Sequence, residues 1–132
     1  MSRVQERAPA EFTNTVTLTN KVLMPHGTVT QASNHTTGVT INATSGIITL
    51  AAAALANDTN AEFTVTNSKV ESDSVILLTM QDENTTDNAQ LSCAVHTIAD
   101  GSFKISIMHS DAGGATSATA SKIHFLVINQ SV

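Results

Sequence analysis

Leu91-Ser92-Cys93-Ala94-Val95-His96 and Phe103-Lys104-Ile105-Ser106-Ile107-Met108, with Asp100-Gly101 between them, decide the fold class of this chain. In the first run Leu91, Cys93 and Val95 alternate with Ser92, Ala94 and His96. In the second Phe103, Ile105 and Ile107 alternate with Lys104, Ser106 and Met108. A repeat of two places alternate side chains on opposite faces of a strand, so each run reads as a strand with one face on a core. Asp-Gly is a tight-turn signal, and it predicts that the two runs fold back on each other as a hairpin.

The same period extends outward. Thr13, Thr15 and Thr17 alternate with Val16 and Leu18, which predicts a first strand from Phe12. Pro25-His26-Gly27 reads as a turn before Thr28-Val29-Thr30-Gln31-Ala32. Thr37-Gly38-Val39-Thr40-Ile41-Asn42 alternates again, and Ser45-Gly46 reads as a turn into Ile47-Ile48-Thr49-Leu50. Ala51 to Ala56 has helical composition, but it is too short for an isolated helix and is read as a loop or single turn. Glu62 to Thr66 is the next strand. Asp73-Ser74-Val75-Ile76-Leu77-Leu78-Thr79-Met80 is the most apolar stretch, and an uninterrupted run of this kind predicts a strand buried on both faces, by the facing sheet and, with no helix to cover it, a neighbouring subunit. Gln81 to Asn88 is a polar loop, Ala112 to Ser121 a second one, and Ile123 to Asn129 a final apolar strand.

Eight or nine short strands with turns between them and no helix predict an all-β sandwich, an antiparallel jelly roll of about eight strands being the expected form. Residues 1–11 mix charges, carry Pro9 and have no period. They are read as a short N-terminal arm, with residues 12–132 forming one β-sandwich domain.

Composition limits the function. There is no Trp or Tyr, and Phe12, Phe63, Phe103 and Phe125 are the aromatic residues, so the core must come from Val, Ile, Leu and Ala. Charged residues are 13% of the chain, low for a surface wholly exposed to water, which implies surface covered by partners. A net charge of −5 with six scattered Lys and Arg argues against nucleic-acid binding. No apolar run reaches the ~20 residues of a membrane span. The first residues hold no apolar signal core, so synthesis in a cytosol is expected and the sequons at Asn34, Asn42, Asn57, Asn84 and Asn129 carry no weight.

The search for chemistry returns little. His26, His35, His96, His109 and His124 form neither a helical i, i+4 pair nor a His-x-His pair on one strand face, so no metal site is assigned. His26 and His35 read as loop residues, His96 and His124 as polar or interface-facing strand positions. Asp82-Glu83-Asn84-Thr85-Thr86-Asp87 resembles a calcium loop, but Asp87 stands where the sharp turn needs Gly and Cys93 where the bidentate Glu belongs. A solvated acidic loop, binding a cation loosely at most, is the better reading. Cys93 has no partner cysteine and reads as a small inward-facing core residue. There is no Gly-x-Ser-x-Gly elbow, and Gly113-Gly114-Ala115-Thr116-Ser117 has no helix after it. No nucleotide-binding loop is present, and no Trp or Tyr is available to stack on a sugar. The chain is therefore expected to be no enzyme, with no catalytic, cofactor or metal residues and no small-molecule substrate.

One resemblance adds to this. The stretches from Gly27 to Ser33, Thr36 to Asn42 and Gly46 to Leu50 are similar to small β-sandwich proteins of tailed bacteriophages. So are Phe63 to Ser68, the strand from Val75, Gly101 to Ile105 and Ile123 to Ile128. The similarity runs from about His26 to Asn129 and points to the trimeric decoration, or cement, proteins on the heads of phages that infect cyanobacteria and other aquatic bacteria. The resemblance implies a homotrimer on the capsid surface of a virion, made in the bacterial host cytoplasm and bound to the major capsid protein near three-fold positions. The N-terminal arm would reach across the shell or to a neighbouring trimer. Because the same module also looks like the terminal domain of some phage fibres, a fibre or head-appendage domain that recognises a host receptor or glycan is the alternative. Relatives often carry a basic residue before the Thr-Thr-Gly turn, where this chain has Asn34-His35. A neighbour contact there would depend on pH.

Overall fold

The computed structural model describes residues 13–85, 90–109 and 114–130. The arm assigned to residues 1–11 lies outside them, as do Phe12, Thr86, Asp87 and Gly113. Eight strands form the domain: β1 (His26–Thr30), β2 (Val39–Thr40), β3 (Ser45–Thr49), β4 (Thr59–Thr66), β5 (Val75–Gln81), β6 (Leu91–Ala99), β7 (Ser102–His109) and β8 (Lys122–Ile128). They make two four-stranded sheets, ordered β1-β3-β8-β5 and β2-β4-β7-β6, packed as a sandwich.

The chain passes from one sheet to the other after every strand except β6, which turns straight into β7. Each passage reverses the chain, so strands an even number apart in sequence run the same way. β1 and β3 therefore pair in parallel, as do β2 and β4, whereas β3–β8, β4–β7, β5–β8 and β6–β7 are antiparallel. The expected all-antiparallel arrangement is corrected by these two parallel pairs. Each is possible because an intervening strand in the opposite sheet supplies the long crossover that parallel neighbours need.

The β6–β7 hairpin forms as its alternation and turn predict, with Gly101 at φ 78° in the left-handed region that an L side chain enters at a cost. Its tip is clamped from below. Gly101 N–H donates to the Val70 carbonyl at 2.8 Å, Asn67 N–H to the Gly101 carbonyl at 2.8 Å, and Ser72 N–H to Asp100 Oδ1 at 2.7 Å. Residues 51–56 hold no helix, and Leu55 exchanges two hydrogen bonds with Thr116 instead.

The inward positions of both sheets meet in one core. Ile48, Leu50, Val65, Ile105, Ile107 and Ile123 are fully buried. Phe103 on β7 meets Phe125 on β8 across the sandwich, ring centroids 6.0 Å apart and tilted by 56°. Such tilted pairs contribute about 0.5–1.5 kcal/mol beyond the area they bury. Cys93 and Val95 pack against this core from β6 and are half-buried.

Three local expectations change. Pro25-His26-Gly27 and Ser45-Gly46 are not turns, since β1 begins at His26 and β3 at Ser45. Gly46 is instead a point of close approach: a Cβ there would lie 2.6 Å from the Gly27 carbonyl oxygen and 2.9 Å from both Ile41 and Phe125 side chains. Finally, Thr13 to Leu18 forms no strand, and every residue from 13 to 26 is exposed.

Candidate interaction surface

The side chains singled out for chemistry do not converge. Among the described residues no group of three or more His, Cys, Asp or Glu is placed to hold a metal ion. His26 is exposed at the start of β1. His96, on the outward face of β6, lies 3.2 Å from Glu62. His124 on β8 contacts Gln81 of β5 at 2.9 Å. His109, at the end of β7, is buried with Nε2 2.6 Å from the Gly114 carbonyl, and its Nδ1 has no hydrogen-bond partner among the described residues. It borders an open recess of about 210 Å³ with Asp58, Thr59, Asn60 and Met108. That volume is below the ~300 Å³ at which small-molecule pockets begin.

His35, read as a loop residue, lies between β1 and β2. It is buried in its own chain, and loss of hydration holds its pKa below the ordinary 6.5 against a hydrogen bond with the Ala51 backbone. Cys93 has its thiol pKa raised by burial, which lowers its nucleophilic thiolate fraction.

The acidic loop is a joint at its described end. Asp82 Oδ2 accepts from the Leu91 amide at 3.0 Å, and Oδ1 accepts from the Asn84 amide at 2.9 Å and the Ser121 hydroxyl at 3.1 Å. Asn84 Oδ1 accepts from both the amide and the hydroxyl of Ser117, at 2.7 and 2.6 Å. These oxygens tie the end of β5 to the start of β6 and to the segment that leads into β8. Protein donors fill three of the roughly four acceptor positions of the Asp82 carboxylate.

What the fold does present outward is apolar. On β5, Ile76 points into the core, while Val75 and Leu77 point out and are 40% and 52% exposed. Val75 stands opposite Ile128, itself 46% exposed, and Leu77 opposite Leu126, which is half-buried. The four side chains form an apolar block two strands wide at the rim of the sheet. Within one chain the expected burial on both faces is corrected: among the described residues β5 is an edge strand covered on its inner face alone, and the second cover expected from a neighbouring subunit is not supplied by the chain itself. An apolar run reports hydrophobicity without saying which face meets the second sheet and which is left for another molecule.

A second apolar surface lies on the segment before β1. Val16, Leu18, Val22 and Leu23 are 50%, 65%, 61% and 81% exposed. Lys21 is the single charged residue between Thr13 and Pro25. Isolated exposed apolar side chains are ordinary, but grouped ones at a rim mark contact surfaces.

Comparison with family models, with curated proteins and with solved structures finds no match to this chain.

Proposed function

We propose that this chain is a virion structural protein without catalytic activity, which decorates and stabilises a phage capsid as a homotrimer bound to the major capsid protein near three-fold positions. The observation that carries the reading is the paired apolar surface, Val75, Leu77, Leu126 and Ile128 on one sheet rim and Val16 to Leu23 before β1. Together with a charged fraction of only 13%, it describes a chain whose outer surface is made for contact with other protein. The strand pattern resembles that of phage decoration proteins, and we read the two-sheet, eight-strand sandwich as a jelly-roll variant with parallel edges. Stabilisation follows from mass action: a protein that binds the expanded lattice and not its disrupted form raises the free energy of disruption.

Light scattering on the purified full chain tests the assembly, with an expected mass three times the 13.8 kDa of one chain. Mixing that protein with expanded capsids lacking it tests the role. Co-sedimentation and a higher disruption temperature are expected, and a chain that stays in the supernatant contradicts the proposal.

A further inference from the structure

Among the described residues the sandwich has four edge strands, and three of them carry the features that stop an edge from recruiting another strand. β2 is two residues long. β6 breaks its register between Val95 and Thr97. β1 is five residues, mostly Thr and Gly, and follows directly on Pro25. Short length, bulges and proline are the usual protections of an edge.

β5 has none of them. It runs for seven residues, Val75 to Gln81, in unbroken register with β8, its one strand partner among the described residues. It contains no charge, no proline and no bulge. An edge of this kind left open is an aggregation site, so in a soluble particle component it must be occupied.

The chain itself carries a segment of matching chemistry. Thr13-Asn14-Thr15-Val16-Thr17-Leu18 alternates β-branched and apolar residues as a strand does, without any net charge to oppose docking. Yet residues 13–24 make no backbone hydrogen bond to the rest of their own fold among the described residues; Asn14 and Asn20 each accept only from the next amide. The segment is fixed at its far end, where the Pro25 carbonyl accepts from Ser45 Oγ at 2.7 Å. From that point a dozen extended residues reach about 40 Å.

We infer that Thr13 to Leu18 of one copy adds as a fifth strand to the β5 edge of a second copy, with Val16 and Leu18 beside Val75 and Leu77 on the outer face. Backbone pairing supplies affinity and the apolar side chains fix the face, as in other strand additions. The donor leaves the sheet at β1 and the acceptor lies at β5, the opposite edge of the same sheet. Donor and acceptor patches are different surfaces, so a reciprocal exchange gives a two-fold pair, whereas exchange passed in one direction from copy to copy closes into a ring when its rotation permits. The trimer proposed above takes the ring. The inference deepens the trimer reading above and rests on it: each copy would donate one strand and receive one.

Site-directed cross-linking tests this on the full chain. Leu18→Cys and Leu77→Cys are placed on separate chains, both with Cys93→Ser, and co-expressed; a short flexible bismaleimide should give a mixed two-chain product that neither variant gives alone. In parallel, Val16→Asp with Leu18→Asp should weaken self-association about a hundredfold or more, since two apolar side chains leave a buried contact. Its thermal melt as a monomer should match that of the wild-type monomer, because among the described residues the segment makes no backbone hydrogen bond to the rest of its own chain and Val16 and Leu18 are exposed. A wild-type trimer that yields no mixed product, and that persists unchanged in the double aspartate variant, overturns strand exchange while leaving the trimer intact. A wild-type monomer overturns both. If Leu18→Cys and Leu77→Cys on one chain cross-link at single-chain mass, the segment occupies its own edge and the inference fails.

Discussion

Gln31 Oε1 accepts a hydrogen bond from the Ala51 amide at 3.2 Å, twenty residues along the chain, and both residues are buried. The same side chain donates through Nε2 to the Thr37 carbonyl at 2.9 Å and approaches the His35 carbonyl at 3.4 Å. One amide thus bridges the end of β1, the 31–37 turn and the chain leaving β3. Replacing Gln31 by Ala leaves those backbone groups buried without partners, each orphaned group costing about 1–3 kcal/mol. Gln31→Ala should lower the urea midpoint by an amount equivalent to at least ~2 kcal/mol. An unchanged midpoint would mean that water replaces the side chain.

His35 makes stability depend on pH. Its folded pKa lies below the unfolded value of about 6.5, so between the two the unfolded chain binds more protons. Stability from neutral His35 is therefore full above pH ~6.5 and is lost as pH falls through that value toward the folded pKa. The thermal midpoint should drop on acidification from pH 7.5 to pH 5, and the drop should be smaller in His35→Gln. Parallel pH curves for the two proteins would show that His35 does not contribute.

Gly46 and Gly101 separate two reasons for a glycine. A methyl group at 46 would press on the Gly27 backbone oxygen and on Phe125, and crowding of this kind in a packed interior costs about 1–3 kcal/mol. At 101 there is open space, and Gly101→Ala faces only the left-handed backbone, about 1–2 kcal/mol. Both variants should lose stability in denaturant titrations. Only Gly46→Ala should also perturb the chemical shifts of Ile41 and Phe125.

Asp82 is assigned a structural task, which calcium can test. Because its oxygens already accept from Leu91, Asn84 and Ser121, millimolar calcium should leave the melting temperature of the wild-type chain unchanged. Asp82→Ala should lower it, by about 1–3 kcal/mol in stability. A calcium-dependent rise in wild type that is absent in Asp82→Ala would assign a cation site instead.

What could be read from the sequence was local. The β6–β7 hairpin is specified by neighbours, alternation on either side of Asp100-Gly101, and the inward positions Phe103, Ile105 and Ile107 follow from the same period. Pairing between distant strands has no such signal. The parallel β1–β3 and β2–β4 ladders depend on how often the chain changes sheet, and no residue in Thr28–Thr30 or Ile47–Thr49 announces that. Thr13 to Leu18 shows the limit most directly: alternation says that a segment suits a sheet, whereas a strand also needs a partner, and the described residues of the chain supply none. The outward apolar block of β5 was hidden in the same way, since a run such as Val75-Ile76-Leu77-Leu78 looks alike whether its second face meets another sheet or another molecule. Gln31 and His35 were legible as residues and not as buried ones, because their burial comes from the return of the chain at Ala51.

The capsid assignment is met most directly by cryo-EM of virions in which this chain has been identified by mass spectrometry. Three copies of the sandwich around local three-fold positions of the head, with the β5 edge facing a neighbouring copy, are the expected result. Density for the chain confined to the tail or its fibres would contradict it.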